Sequence, residues 1–550
     1  MSSAGPESAS PAAHGNRQLL NRLIEIPFHP VLFFSFPILS LLAWNIEELY
    51  PGQAARSLLL SLLLCAVLWA ILGLAFRDMR RAALLTSLIG LLIFTYGHVY
   101  HQIEYRTVAG VLVGRHRYLL AGWCAMLLLL GWLIVRRAGS ARPATQLVNL
   151  VAVAMVMMPL VSIAGFYANV LRAEAPRATR LPSVTLKPPP GQPLPDIYYI
   201  ILDGYARSDY LANDGGYDNS EFIDFLEQQG FYVAEESRSN HNLTALSLAS
   251  SLNMTFAQYL GAEMQPGFYP TPFTPLIHDN LVRRSLEGIG YRSVGLQSGY
   301  YPTEWVDADL FLGPALETLP AADSRLLPNA FESMLIDSTL LQPLLESRLL
   351  SLPTAFDFKR YAGYSRDLMR AIILGEFDNL QQLPRQAGPK LVFAHIISPH
   401  SPFLFGPNGE PLEAEGPFTL VEDAGSGQDG PRLYRDQVIF ISGKAEETIA
   451  AILAGSEVPP VIILQADHGA RAFPYEAQRT AILNAILIRE DCRSSLYSSI
   501  TPINTFRVVF NCYFDADLPI VEDEIYWSPS PPDNPYEFRL PDFLEGETAP

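Results

Sequence analysis

Five long apolar segments fill most of the first 170 residues of this 550-residue chain and restrict the folds open to it. Each approaches the ~20 residues that a helix needs to cross the hydrocarbon core of a bilayer. None is a short apolar region followed by a small-residue cleavage site, so none resembles a cleaved signal peptide. We therefore predict a transmembrane domain of five helices within residues 27–167, with spans near Pro30–Ile46, Ser57–Phe76, Ala82–His98, Tyr118–Val135 and Ala144–Tyr167.

Arginine residues beside these segments predict which helix ends are cytoplasmic, because loops rich in arginine stay in the cytoplasm. An odd number of spans then puts residues 1–26 inside and everything after residue 167 outside. We expect a multi-pass protein of the inner (cell) membrane whose second half is extracytoplasmic. The arginines on the predicted cytoplasmic side are Arg17, Arg22, Arg77, Arg80, Arg81, Arg136, Arg137 and Arg142, and those that oppose this orientation are Arg106, Arg115 and Arg117.

Charge divides the chain at the same place. The whole chain has a formal net charge of −18, whereas its first 180 residues hold 15 arginines against 7 acidic residues, so the remainder is strongly acidic. Nucleic acids bind to basic faces, and we therefore exclude them as partners. Cys492 and Cys512 lie in the acidic half. They would form a disulfide if that half is extracytoplasmic, and two separate buried thiols are the alternative.

Composition also predicts the domain boundaries of the second half. Residues 168–195 are rich in proline and read as a stiff, extended linker. Residues 196–527 alternate short apolar runs with helical patterns, which indicates an α/β domain whose mostly parallel sheet is covered on both faces. Residues 528–550 form a proline-rich acidic tail that we expect to wrap loosely or to be disordered. The predicted strands are 197–202, 291–296, 390–397 and 460–466, and the predicted helices are 219–229, 244–253, 278–288, 361–382 and 433–454.

Two of the predicted strands end on residues that can bind a metal. Asp203 follows the first strand, Asp467 and His468 follow the last, and a glycine comes next in each case. In an open α/β sheet, ligands bind beyond the carboxyl ends of the strands. Adjacent residues of an extended strand point to opposite sides, so Asp467 and His468 reach one metal only if the strand breaks, which Gly469 permits. A plain turn residue is the alternative for Asp203.

Two further positions carry residues suited to phosphoryl chemistry. Thr244 begins a predicted helix, where free N–H groups and the helix dipole favour an anion. A plain helix cap is the alternative for this threonine. His400 lies in a loop bracketed by Pro399 and Pro402 that fixes its position. His395 lies inside the preceding strand and is predicted to be a hydrogen-bonded structural histidine.

Taken in order, these four motifs resemble those of the alkaline phosphatase and sulfatase superfamily. Five spans before an external catalytic domain resemble its lipoteichoic acid synthase and phosphoethanolamine transferase group. The resemblance implies an alkaline-phosphatase-like (sulfatase-like) domain in which Asp203, Thr244, Asp467 and His468 bind a divalent metal ion, with Asp203 standing where lipoteichoic acid synthases carry glutamate. It implies that Thr244 is the nucleophile and that His400 contacts the phosphoryl group as acid or base. This set of ligands suits Mn²⁺ or Zn²⁺, with Mg²⁺ as an alternative.

The chain departs from the resemblance in three ways. It has no C/S-x-P-x-R motif, so hydrolysis of sulfate esters is not expected. It has no histidine after His468, whereas phosphoethanolamine transferases carry one there for a second metal, so we expect one metal ion. It also lacks the arginine of the Trp-x-Arg segment with which lipoteichoic acid synthases hold phosphate. Trp305 stands there as a candidate substrate wall, with core packing as the alternative, and Arg471 as a candidate replacement charge, with solvent exposure as the alternative.

The function that these residues favour is a membrane-anchored phosphotransferase. It would move a phospho-alcohol headgroup from a phospholipid donor to a lipid or glycan acceptor of the cell envelope through a phospho-threonine. A phosphodiesterase or phosphatase, or another sulfatase-like hydrolase of the same fold, would pass the same intermediate to water. A non-catalytic membrane sensor built on the fold is the remaining alternative.

Overall fold

A computed structural model describes most of the chain. The described residues are 26–46, 51–103, 106–108, 111–112, 115–136, 141–174, 181–260, 272–314, 330–341, 343, 364–412, 429–472, 476–529 and 534–541. The chain divides into two compact units. One comprises residues Met1–Gly165 and Pro328–Ala362, and the other comprises Phe166–Leu327 and Gly363–Pro550.

The first unit consists mainly of apolar helices. Four regions of the described chain are helical, long and apolar enough to span a membrane: Gly52–Phe76, Met79–Ile103, His116–Arg136 and Ala141–Ala168. The helix over the first predicted span has only 16 residues, which is short for a crossing. Four of the five predicted spans thus coincide with helices that are long and apolar enough to cross a membrane, and the count of five stays a prediction. The helices are α1 (His29–Trp44), α2 (Ala55–Phe76), α3 (Met79–Ile103), α4 (His116–Arg136) and α5 (Ala141–Glu174), and a short antiparallel pair, β1 (Thr107–Val108) and β2 (Val111–Leu112), precedes α4.

The second unit is built around a seven-stranded sheet. Its strands are β3 (Ile197–Leu202), β4 (Tyr232–Val233), β5 (Arg292–Leu296), β6 (Leu310–Leu312), β7 (Lys390–Ile396), β8 (Val461–Gln465) and β9 (Asn484–Leu487). The spatial order is β4-β9-β8-β3-β7-β5-β6. The pairs of β9 with β4 and with β8 are antiparallel and the others are parallel, which confirms the predicted mostly parallel sheet.

Alternate residues of a strand point to opposite sides of the sheet, so buried strands give it two apolar faces. Helices cover both faces. Tyr198 and Ile200 of β3 belong to one apolar core, and Tyr199 and Ile201 belong to the other. Every residue of β3 is buried, as the continuous apolar run predicts. The helices of this unit are α6 (Ser208–Asn213), α7 (Ser220–Gln228), α8 (Thr244–Asn253), α9 (Thr274–His278), α10 (Leu281–Glu287), α12 (Tyr364–Gln382), α13 (Gly430–Gly455) and α14 (Pro502–Phe514), whereas α11 (Ala330–Asp337) lies in the first unit.

The structure corrects one expectation about the second half. The predicted helix 278–288 is two helices, because Asn280 caps α10 by accepting a hydrogen bond from Arg283 N at 2.8 Å. In the predicted tail, Arg539 exchanges two backbone hydrogen bonds with Trp527, and the loose wrapping of the tail as a whole stays a prediction. Cys492 and Cys512 are joined by a disulfide, so the first of the two alternatives for this pair holds.

Candidate active site

The strand order brings three chemically important chain ends together. Strand β3 lies between β8 and β7, and both pairs are parallel. The carboxyl ends of all three strands therefore meet at one edge of the sheet. Asp203 directly follows β3, Asp467 and His468 follow β8, and β7 leads into the loop that carries His400. This edge is the place where the sequence predicts a metal site.

The charged and imidazole side chains at this edge are close together, and all of them are buried except His400, which is half-buried. His468 Nε2 lies 3.5 Å from Asp203 Oδ1 and 3.5 Å from Asp467 Oδ2. His395 Nε2 lies 3.4 Å from Asp203 Oδ2. Two groups of three have ligand atoms within 4.8 Å of one another, namely Asp203 with His400 and His468, and Asp203 with His395 and Asp467. The two groups share Asp203.

Hydrogen bonds of Nδ1 fix the ring orientations of His468 and His400. His468 Nδ1 donates to Gly469 O at 2.9 Å, and His400 Nδ1 donates to Ser401 O. A carbonyl only accepts hydrogen bonds, so Nδ1 carries a proton in both rings and, in the neutral form, Nε2 presents a lone pair. The Nε2 lone pair of His468 therefore faces carboxylate oxygens that are acceptors too. Such an arrangement is stable only with a cation between the groups or with a protonated ring.

Four of these buried polar atoms have no hydrogen-bond partner, and they belong to Asp203, Asp467, His395 and His468. Buried polar groups in proteins nearly always have partners, because an unsatisfied one is costly. When several converge within a few ångströms, a bound cation accounts for all of them at once. The residues present thus fit a divalent metal ion.

Burial and neighbouring charges act in opposite directions on Asp203 and on His400. Burial alone would raise the pKa of Asp203, but the imidazoles of His400, His395 and His468 outweigh burial and hold that pKa well below its usual range. Burial lowers the pKa of His400, and the charge of Arg471 lowers it further against the effect of Asp203. A neutral imidazole is the form that binds a metal or accepts a proton.

Tight backbone geometry holds the two aspartates in place. Gly204 adopts a φ of +71°, a conformation that suits glycine, and turns the chain directly after Asp203. Its N–H donates to Asp467 Oδ1 at 3.2 Å. Its carbonyl accepts from the hydroxyl of Tyr434 at 2.8 Å. The turn therefore links the end of β3 to the carboxylate that follows β8.

Thr244 is the first residue of α8. Hydrogen bonds before and within this helix show how its two ends lie relative to the sheet. In the loop before α8, Ser239 N–H donates to Thr480 O at 2.7 Å, in the chain that returns from the site towards β9. At the far end of α8, Ser251 Oγ accepts from the hydroxyl of Tyr199 at 2.9 Å, in the middle of β3. The helix thus runs from the carboxyl edge of the sheet towards its middle, and half-buried Thr244 lies at the end nearer the edge.

Trp305 does not line the site. It is fully buried and its indole stacks on Phe393 at a centroid distance of 4.7 Å. Its Nε1–H donates to Ile277 O at 2.9 Å. The prediction of a substrate wall is therefore wrong, and the alternative of core packing applies. Arg471 is half-buried and close enough to shift the pKa of His400, so it remains a candidate for the missing positive charge.

His395 is the residue that sequence reasoning missed. Its hydrogen bond from Nδ1 to Thr303 Oγ1, at 2.8 Å, agrees with the predicted structural role. Its other nitrogen, however, faces Asp203. In the sheet His395 is level with Ile201, two residues before Asp203. His395 comes close to Asp203 because β7 pairs with β3. A single histidine in an apolar strand gives no information about which strands are neighbours.

No family model matches this chain, and no curated protein matches it. Among solved structures, it is similar to the C-terminal periplasmic domain of EcEptC from Escherichia coli, at 11% identity and a TM-score of 0.39, covering 66% of this chain and 97% of that one. It is also similar to the integral membrane lipooligosaccharide phosphoethanolamine transferase A (EptA) from Neisseria meningitidis, at 13% identity and a TM-score of 0.37, covering 90% of this chain and 95% of that one.

A sulfatase-type structure is found as well. It is described as a putative sulfatase from Bacteroides thetaiotaomicron, at 9% identity and a TM-score of 0.34, covering 60% of this chain and 72% of that one. At such identities the activity of this chain has to be decided by its own site residues.

Proposed function

We propose that the chain is a membrane-anchored, metal-dependent phosphotransferase that moves a phospho-alcohol headgroup from a phospholipid to an envelope lipid or glycan. The observation that carries this proposal is the convergence of four buried, unpartnered ligand atoms from Asp203, Asp467, His395 and His468. A cluster of this kind serves metal-assisted chemistry, and it lies at the carboxyl edge of the sheet, where α/β proteins bind ligands.

Asp203, Asp467 and His468 would hold the metal ion, with His395 completing the set and Thr244 as the hydroxyl ligand. Carboxylates and imidazoles together suit Zn²⁺ or Mn²⁺, with Mg²⁺ as an alternative. When bound, the ion would lower the pKa of a coordinated hydroxyl and offset charge on the phosphoryl oxygens.

Thr244 would act as the nucleophile. Its hydroxyl oxygen forms a bond to phosphorus while the bond from phosphorus to the diacylglycerol oxygen breaks, and the leaving oxygen takes up a proton. In the second half-reaction an acceptor hydroxyl attacks the same phosphorus and Thr244 leaves. The N-terminal end of α8 supports this role, because N–H groups and the dipole there favour the phosphoryl charge.

His400 would exchange protons in both half-reactions, and Arg471 would assist in holding the phosphoryl group. With Nδ1 donating to Ser401 O, His400 has Nε2 left to accept a proton. Its lowered pKa keeps that nitrogen unprotonated near neutral pH. Arg471 supplies positive charge close to this imidazole.

The membrane helices give the proposed reaction a physical reason for its anchor. A site tethered to the bilayer meets phospholipid headgroups at a high effective concentration. The disulfide between Cys492 and Cys512 supports a catalytic domain in an oxidising compartment outside the cytoplasm.

Incubation of the full-length protein with headgroup-labelled phospholipids tests the proposal. We expect the label to appear on Thr244 by mass spectrometry and then on an acceptor. Removing a group essential to the chemistry costs at least ~10²-fold in rate, so Thr244→Ala should abolish labelling, and Asp467→Asn should in addition lower the content of bound metal.

Thr274→Ala is the matched control, because Thr274 is also half-buried at the first residue of a helix, α9. It should leave labelling unchanged. Label passed only to water would establish a hydrolase instead. A protein that binds no divalent metal and takes up no label would contradict the enzyme proposal and favour a sensor.

A further inference from the structure

A segment from the second half of the sequence packs among the membrane helices. Residues 330–341, here named the docking segment, lie between β6 and α12 along the chain. Both of those elements belong to the unit that contains the sheet, whereas the docking segment belongs to the unit of apolar helices. The chain therefore leaves the catalytic unit, enters the membrane unit and returns.

Apolar contacts provide the first part of this docking. Phe331 is fully buried and belongs to one cluster with Phe34 and Ile38 of α1 and with Phe94 of α3. Leu335, one helical turn further along α11, packs against the same cluster. Phe331 and Leu335 thus occupy an internal position between helices rather than an outer surface of the bundle.

A charge pair provides the second part. Arg56 Nε donates to Glu332 Oε1 at 2.6 Å, and its Nη2 donates to the second carboxylate oxygen. Glu332 is largely buried, with a side chain only 10% exposed. A forked pair of this kind fixes the relative position of both groups and is costly to break where one partner is buried.

Backbone hydrogen bonds provide the third part. Leu340 N–H donates to Ile93 O at 2.8 Å, and Ser338 O accepts from Gly97 N–H at 3.1 Å. Ile93 and Gly97 are one turn apart inside the long helix α3. Ser338 and Leu340 are therefore both bound to one turn of α3. These main-chain bonds define the position of the docking segment along that helix without help from side chains.

We propose that the docking segment is a second attachment of the catalytic domain to the membrane, independent of the linker at residues 168–195. Apolar burial, a forked ion pair and main-chain bonds act together, as in the core of a stable interface. The partner of this surface of α1, α2 and α3 is a segment of the same chain. Cutting the linker therefore leaves the catalytic domain on the membrane.

The test uses the full-length protein in native membranes, with a protease site inserted between Glu174 and Leu181. After cleavage and washing, we expect the catalytic fragment to remain with the membranes. In the same cleavable protein, Phe331→Asp combined with Glu332→Arg should release most of that fragment into the supernatant. A double variant with Arg56→Glu and Glu332→Arg, in which Phe331 is unchanged, should retain the fragment. In this variant the ion pair is re-formed with its charges exchanged.

Glu227→Arg is the control for a change of charge on the catalytic unit, since Glu227 is exposed on α7. It should leave retention unchanged. Release of the fragment with an intact docking segment overturns the proposal. Retention despite the Phe331 and Glu332 changes overturns it as well, because another contact would then hold the fragment.

Discussion

At the scale of single residues, three buried histidines differ in the group that Nε2 faces. His395 and His468 direct Nε2 towards carboxylates. His241, three residues before Thr244, is fully buried without a nearby carboxylate partner among the contacts of the described residues. Its Nε2 accepts from Ala257 N–H at 3.3 Å, and its ring stacks on Tyr526. The first kind of position can hold a cation, whereas the second requires a neutral ring.

His241 gives a prediction about pH. Burial lowers its pKa from 6.5 to about 3 in the folded protein. Below pH 6.5 the unfolded chain therefore binds a proton that the folded protein does not. The stabilising contribution of the neutral His241 ring is thus complete above pH 6.5 and is lost as the pH falls towards 3. At pH 5 the loss is ~2 kcal/mol in the free energy of unfolding. In His241→Gln the decline in stability between pH 7 and pH 5 should be shallower, measured by thermal unfolding in detergent. Parallel pH profiles for the two proteins would contradict this.

At the scale of secondary structure, buried strands and one helix start could be predicted from sequence to within about a residue. Strand β3 is a continuous apolar run, β7 and β8 are mostly apolar, and α8 begins at the predicted Thr244. Strands β4, β6 and β9 are only two to four residues long, which is too short for a period to show.

The site could be predicted only in part for a related reason. Asp203, Asp467 and His468 each adjoin a strand end that the sequence marks. His395 becomes a site residue only through the order of strands in space, and Trp305 becomes a core residue only through the stacking of Phe393. Pairing between distant strands does not appear in a local pattern.

Gly469 tests how the end of β8 is built. A Cβ at this position would lie 1.9 Å from Gln478 O and 2.7 Å from Ala481 O, and both atoms belong to the backbone. Gly469→Ala should therefore push the two chains apart, displace His468, lower metal content and reduce the free energy of unfolding by about 3 kcal/mol or more. Gly443→Ala in α13 is the control, because a Cβ there meets nothing within 4 Å. It should be neutral or stabilise by up to ~1 kcal/mol. Equal stability and metal content in both variants would contradict this account.

At the scale of the whole molecule, the basic, apolar first part and the acidic second part require different surroundings. The disulfide belongs to the acidic part, whereas Cys65 and Cys124 lie in the membrane helices as free thiols. The predicted topology, with the second part outside, is consistent with this division. Thiol chemistry therefore reports on the compartment that each part of the chain occupies.

Counting thiols tests this arrangement. When the full-length protein is denatured without reductant and alkylated, we expect two modified cysteines, and after reduction we expect all four. Cys492→Ser should leave Cys512 unpaired and give three modified cysteines without reductant. It should also lower stability by about 3 kcal/mol, as expected for loss of a loop-closing disulfide. Four modified cysteines in the unreduced parent would place the acidic part in a reducing compartment.

The position of β3 has a consequence for how the protein is made. This strand is the first of the catalytic sheet to leave the ribosome, yet its two neighbours contribute Leu391 and Val461 to its register. An all-apolar strand must therefore wait unpaired until most of the domain has been synthesised. During that interval it is a target for aggregation and for chaperones, and no partial chain would bind the proposed metal ion. Acquisition of metal by a nascent chain would then mark the moment at which the sheet has closed around β3.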